Sequence, residues 1–102
     1  MMREPHPYPE IYCDFNARMT DRGYSLERMG SIRDLSKLGL KLEDAVGKRF
    51  TFVADDADEN GVLDDIMSNG VVIKDERYGF LALLDTPGDF YWRSQLTRCD
   101  EA

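Results

Sequence analysis

Phe50-Thr51-Phe52-Val53-Ala54-Asp55-Asp56-Ala57-Asp58-Glu59-Asn60-Gly61-Val62-Leu63-Asp64-Asp65-Ile66-Met67-Ser68-Asn69-Gly70-Val71-Val72-Ile73 is the stretch whose reading decides the fold. Two apolar runs, Phe50–Ala54 and Ile66–Ile73, flank six carboxylates and one Asn-Gly turn. Each run is rich in β-branched or aromatic residues and short enough for a strand. The expectation is therefore a strand over 48–54, an acidic loop over 55–65 and a strand over 66–74, with Asn69-Gly70 marking a bulge or a sharp bend.

Working outward, period-two alternation returns elsewhere. Ile11, Cys13, Phe15, Ala17 and Met19 alternate with Tyr12, Asp14, Asn16 and Arg18, the pattern of a half-buried strand. Thr20-Asp21-Arg22-Gly23 reads as a turn, and Tyr24–Met29 as the returning strand of a β-hairpin. Ser31 as N-cap, Asp34 in the acidic box position, Ile32, Leu35 and Leu38 at spacing three, and Gly39 after the end give a helix of about two turns. Such a helix must dock on the sheet, because it is unstable alone. Phe80–Leu84, the most continuous apolar run, suits a strand covered on both sides, and Asp89–Arg93 supplies a last aromatic strand.

Six short strands with frequent turns and one short helix indicate a mainly β domain. The expected form is a small SH3-like barrel, with an OB-like barrel as the alternative. The division reads as an extended lead-in at 1–9, one domain at 10–94 and a polar tail at 95–102. A chain of 102 residues with 42% hydrophobic content and 11 aromatic side chains can bury one core without disulfides or a structural metal.

The net charge of −7 is unevenly spread. Residues 1–50 carry nine Lys/Arg and eight Asp/Glu, net +1, and residues 51–102 carry four and twelve, net −8. That balance argues against nucleic acid, whose phosphates call for clustered cations, and favours a basic protein or peptide as partner. No apolar run approaches a membrane span or a signal sequence, so a cytoplasmic location is expected. The composition does not fix an oligomeric state.

In the acidic stretch, Asp56, Asp58 and Asn60 fall at positions 1, 3 and 5 of a cation loop, Gly61 at 6, Val62 (through its carbonyl) at 7 and Asp64 at 9. This D-x-D-x-N-G-x-x-D string resembles the first nine positions of EF-hand-type calcium loops, which implies calcium as a ligand. Position 12, where such loops carry a bidentate Glu, is Met67, so a site here binds in the millimolar class unless another carboxylate closes the shell. The plainer reading is a solvated turn of Asp, Asn and Gly whose charge discourages edge pairing.

Nothing in the sequence assembles a nucleophile with its base, a Gly-rich phosphate cradle or an H-E-x-x-H site. His6, the only histidine, sits in the Pro-rich lead-in, and Cys13 falls on an apolar face where a thiol is inert. Tyr91 and Trp92 are adjacent, so alternation sends them to opposite faces and exposes one of them. The leading expectation is a non-enzymatic interaction module. It presents Asp55, Glu59, Asp65, Tyr91 and Trp92 to a basic partner, with no cofactor. The alternatives are a calcium-binding β-domain using Asp56, Asp58, Asn60, Val62 and Asp64, and a weak acid/base enzyme using the same carboxylates.

Overall fold

The two apolar runs pair with each other. In the computed structural model, which describes residues 8–57 and 60–95, they form the longest antiparallel ladder of the molecule. In chain order the strands are β1 (Glu10–Tyr12), β2 (Gly23–Ser25), β3 (Arg49–Ala57), β4 (Leu63–Asp75), β5 (Gly79–Leu84) and β6 (Tyr91–Trp92). The helices α1 (Met29–Lys37) and α2 (Leu42–Ala45) lie between β2 and β3. A single 3-10 turn, Arg93–Gln95, follows β6. The protein is mainly β, as its alternating runs predict.

The strands form one sheet in the order β1-β3-β4-β5-β2, with β6 on the far side of β4 from β3. This sheet is not closed, so neither the SH3-like nor the OB-like ring of strands is confirmed. The register explains the core. Ile11 faces Phe52, Phe50 faces Gly70, Gly70 faces Leu84, and Val72 faces Ala82. Directly opposed residues share a face, so these side chains project together. Leu35 of α1, the intervening Leu40, and Leu42 and Ala45 of α2 cover them. The opposite face buries Met67 beside its cross-strand neighbour Tyr91, and also Leu81.

The opening hairpin expected over 11–29 forms only at its tip, where the Met19 N–H bonds the Gly23 carbonyl at 2.8 Å and the Ser25 N–H bonds the Ala17 carbonyl at 3.0 Å. β1 instead runs parallel to β3, and β2 pairs with β5; one bridge, Arg18 to Tyr24, joins the two predicted arms. The cause is local. The Asp14 carboxylate accepts the Asn16 N–H at 2.9 Å and the Asp14 carbonyl accepts the Ala17 N–H at 3.0 Å, so the chain turns where alternation reads as strand. Ile11, Cys13 and Ala17 are buried all the same, which is why the pattern misleads.

The helix starts earlier than Ser31. Arg28 is its N-cap, and Ser31 lies inside, fully buried. Neither Ser31 nor Asp34 caps the helix. Ser31 donates its hydroxyl to the Tyr12 carbonyl at 2.6 Å, and Asp34 accepts the Tyr12 N–H at 2.9 Å. In a parallel pair the backbone groups of alternate residues face away from the partner strand, and at Tyr12 two helix side chains take the place of a missing neighbour. The C-terminus follows expectation. Gly39 (φ 75°) sends its N–H to Ser36, and Leu40 sends its own back to Leu35, a Schellman closure. Of the three spaced apolar residues only Leu35 is buried; Ile32 and Leu38 remain exposed.

No bulge interrupts Asn69-Gly70. The β3–β4 register runs unbroken through both residues, and Gly70 serves a different need. A Cβ there would overlap the Leu83 main-chain carbonyl where β5 joins the sheet. Gly70→Ala should destabilise the fold by about 2 kcal/mol through forced separation of two backbones, read as a lowered denaturation midpoint with unchanged m-value. Ser31→Ala leaves the Tyr12 carbonyl without its partner and should cost about 1–3 kcal/mol. Asp34→Ala should in addition speed hydrogen exchange at the Tyr12 amide.

Candidate functional site

Past Val53, β3 leaves β1 behind, and beyond Ile66, where β6 still pairs with β4, β3 and β4 continue as a two-stranded ribbon. Its strands extend to Ala57 and from Leu63, so much of the expected acidic loop is regular ladder. The ladder sets Asp55 opposite Asp65 and Asp56 opposite Asp64. Like charges opposed in this way repel. Relief comes from the turn after β6. Asp65 accepts from Arg93 Nε at 2.7 Å, and Asp64 accepts from the Ser94 hydroxyl at 2.5 Å and the Ser94 N–H at 3.1 Å. The other arms of the Arg93 guanidinium hold both oxygens of Glu10, at 2.6 and 3.1 Å. These bonds push the Arg93 pKa up, with Glu10 the stronger partner. A bidentate, shared guanidinium is worth more than an isolated surface pair.

Asp55 receives no such partner among the described residues. It stands at the rim of a cavity of about 500 Å³ at the root of the ribbon. The floor is Ala54 and Ile66, a cross-strand pair. Phe15, Tyr24 and Phe90 form one wall as an edge-to-face cluster, with centroids 4.9 to 6.3 Å apart. Asp14, Asn16 and Tyr12 complete the lining. The Tyr12 phenol is pushed up, first by burial and then by the charge of Asp14, with Cys13 and Asp55 adding to it and Arg28 opposing. Next to it the Cys13 thiol is buried and pushed well above its usual range, again chiefly by desolvation, so it stays protonated and unreactive. Neither Asp14 nor Asp55 makes an ion pair among the described residues. The chemistry on offer is an aromatic wall facing two carboxylates, which suits an organic cation.

The residues singled out from sequence fare differently. Asp55 is exposed at the cavity, and Asp65 is held by Arg93. Tyr91 is 2% exposed, with its hydroxyl donating to Asn69 Oδ1 at 2.9 Å, so it is no contact surface. Trp92 is half-buried and does not line the cavity. Of the calcium string, Asp58 lies outside the described residues, as does Glu59, and Asp64 is engaged by Ser94. Val62 and Asn60 are exposed near the ribbon tip, and Asp56 is placed by its backbone alone. Among the described residues no group of three or more His, Cys, Asp or Glu is arranged to hold a metal. No helix there is long and apolar enough to cross a membrane. Sequence reasoning missed Asp14, Phe15 and Phe90. The one available signal was the Asp14-x-Asn16 spacing, which can form an Asx turn.

No protein family, curated protein or solved structure matches this chain.

Because the negative charges of Asp14 and Asp55 disfavour the phenolate, removing either should lower the Tyr12 pKa. Site-resolved NMR titration should find Tyr12 ionising above the ordinary tyrosine range in the parent. In Asp14→Asn and Asp55→Asn its midpoint should shift towards that range, more for Asp14 than for Asp55.

Proposed function

We propose that this protein is a non-enzymatic binding module that captures a basic protein or peptide at the root of its acidic ribbon. The observation that carries the reading is the pairing, in one cavity, of two carboxylates lacking an ion-pair partner among the described residues with the Phe15–Tyr24–Phe90 wall. A lysine or arginine side chain entering there meets opposite charge at Asp14 and Asp55 and can lie over the face of an aromatic ring. Cation–π contact of this kind adds about 0.5–2 kcal/mol to the ion pairs. Peptide-binding β-domains of the SH3 kind likewise combine exposed aromatics with charged loops, although they take Pro-rich ligands.

Acid/base chemistry is the weaker reading of the same carboxylates. A general acid or base must be held in a fixed, sheltered geometry at the reacting atom, and Asp55 is exposed to water. The acidic half of the chain also favours the binding reading, since its field attracts a cationic partner from a distance and speeds encounter.

The test is a titration of the full chain with a lysine-rich peptide at several salt concentrations. The parent should bind with affinity that falls as salt rises. The doubly neutralised variant Asp14→Asn/Asp55→Asn should keep its fold by circular dichroism, bind about tenfold more weakly and show a flatter salt dependence. Equal affinity and equal salt slope in the two proteins would remove the proposal.

A further inference from the structure

The partner's mode of binding is written in the backbone beside the cavity. β1 accompanies β3 only as far as Tyr12 opposite Val53. The last bond between them is the Cys13 N–H to the Val53 carbonyl at 2.9 Å, after which the Asp14 turn carries the chain away. β3 itself runs four residues further, to Ala57. In a strand the main-chain N–H and C=O of every second residue point to the same edge. The Thr51 N–H reaches the Pro9 carbonyl and the Val53 carbonyl receives Cys13, so Thr51 and Val53 face the β1 edge. Asp55 and Ala57 follow in phase. Their backbone groups therefore face the space that β1 vacates, where no described residue pairs with them. Asp55 contributes at once to this open edge and to the cavity rim.

An open edge invites a strand, and natural sheets guard such edges with charge. Here the guard is selective. A second copy of this chain would bring Asp55 against Asp55 on proteins that each carry a net charge of −7. A strand with positive side chains would instead relieve the Asp55/Asp65 repulsion, of which Arg93 answers only the β4 side.

Resting on the binding reading above, we infer that the basic partner docks in extended form as an added strand on the β3 edge at Asp55–Ala57, extending the line of β1 and placing a lysine or arginine side chain in the cavity between Asp14, Asp55 and the Phe15–Tyr24–Phe90 wall. Main-chain bonds supply the general affinity and the cavity supplies the preference for a cation, the division of labour of β-strand addition.

The test uses the full chain and a capped hexapeptide of alternating lysine and valine. Two further versions are N-methylated on one or the other set of alternate amides, which leaves charge unchanged. The inference expects the parent peptide to bind and one methylated version to bind at least tenfold more weakly while the other does not. It also expects hydrogen exchange at the Asp55 amide to slow at least tenfold on saturation. As a second variant, Asp55→Pro removes the outward N–H without touching the bonds to β4, so it should bind more weakly than Asp55→Asn. Equal binding of all three peptides with unchanged Asp55 exchange overturns strand addition, yet leaves the basic-partner reading intact if Asp14→Asn/Asp55→Asn still weakens binding. Failure of every peptide to bind overturns both.

Discussion

The ladder between β3 and β4 is the constraint on which the rest of the molecule depends. It holds Phe50 and Phe52 on one face, and both fit beneath α1 and α2 because the register is fixed over nine pairs. A one-residue slip would send these phenylalanines to the opposite face, away from the helices. Gly70 enforces that register from the β5 side, since any side chain there would meet the Leu83 carbonyl. β1, β5 and β6 are then additions to a spine already set. Each joins where β3 or β4 offers a free edge, and β1 has its own outer edge closed by Ser31 and Asp34.

This division between spine and additions also creates the site. The spine is longer than the strands laid against it, so its end projects as a ribbon with aspartates on both arms. Electrostatic relief is one-sided. Arg93 and Ser94 bind the carboxylates of β4, whereas Asp55 of β3 looks across a cavity to Asp14. A strongly acidic, incompletely compensated ribbon lowers stability a little and, in the proposed binding role, would raise the affinity for a counter-charge. The aromatic wall matters for the same reason, because it excludes water from one side of any cation that enters.

How much of this was legible in the sequence depends on the range of the interaction. The Phe80–Leu84 strand and the Gly39 helix end are written in local pattern and appear where the residues place them, whereas the two strands around the acidic stretch run on into it, to Ala57 and from Leu63. The opening hairpin was misread because burial of Ile11, Cys13 and Ala17 satisfies a period of two even though the backbone turns at Asp14. Ser31 and Asp34 carry the letters of a helix start, yet their hydroxyl and carboxylate are claimed by a strand edge some twenty residues away. The cavity was the least legible feature. It gathers residues from the 12–16 turn, Tyr24, the 54–55 step, Ile66 and Phe90, and no window of sequence contains that set. Tyr91 and Trp92 were the aromatics that drew notice, while Phe90, one residue earlier, is the one that lines the wall.

The guanidinium of Arg93 clasps Glu10 across a separation of 83 residues, so the first strand and the last turn of the described fold lie side by side. That adjacency makes the order of elements along the chain separable from their order in space. A short linker between the two ends would complete a continuous path, and the exposed turn 76–78 between β4 and β5 offers a place to cut new ends. Such a rearranged chain keeps the spine and the ribbon, because the β3–β4 ladder lies wholly on one side of the cut, while Phe90 of the cavity wall lies on the other. It would place β5 and β6 ahead of β1 in the chain and leave β1, β3 and β4 in one uninterrupted segment. The acidic ribbon could then be lifted out as a unit and grafted as a loop-sized insertion onto other scaffolds.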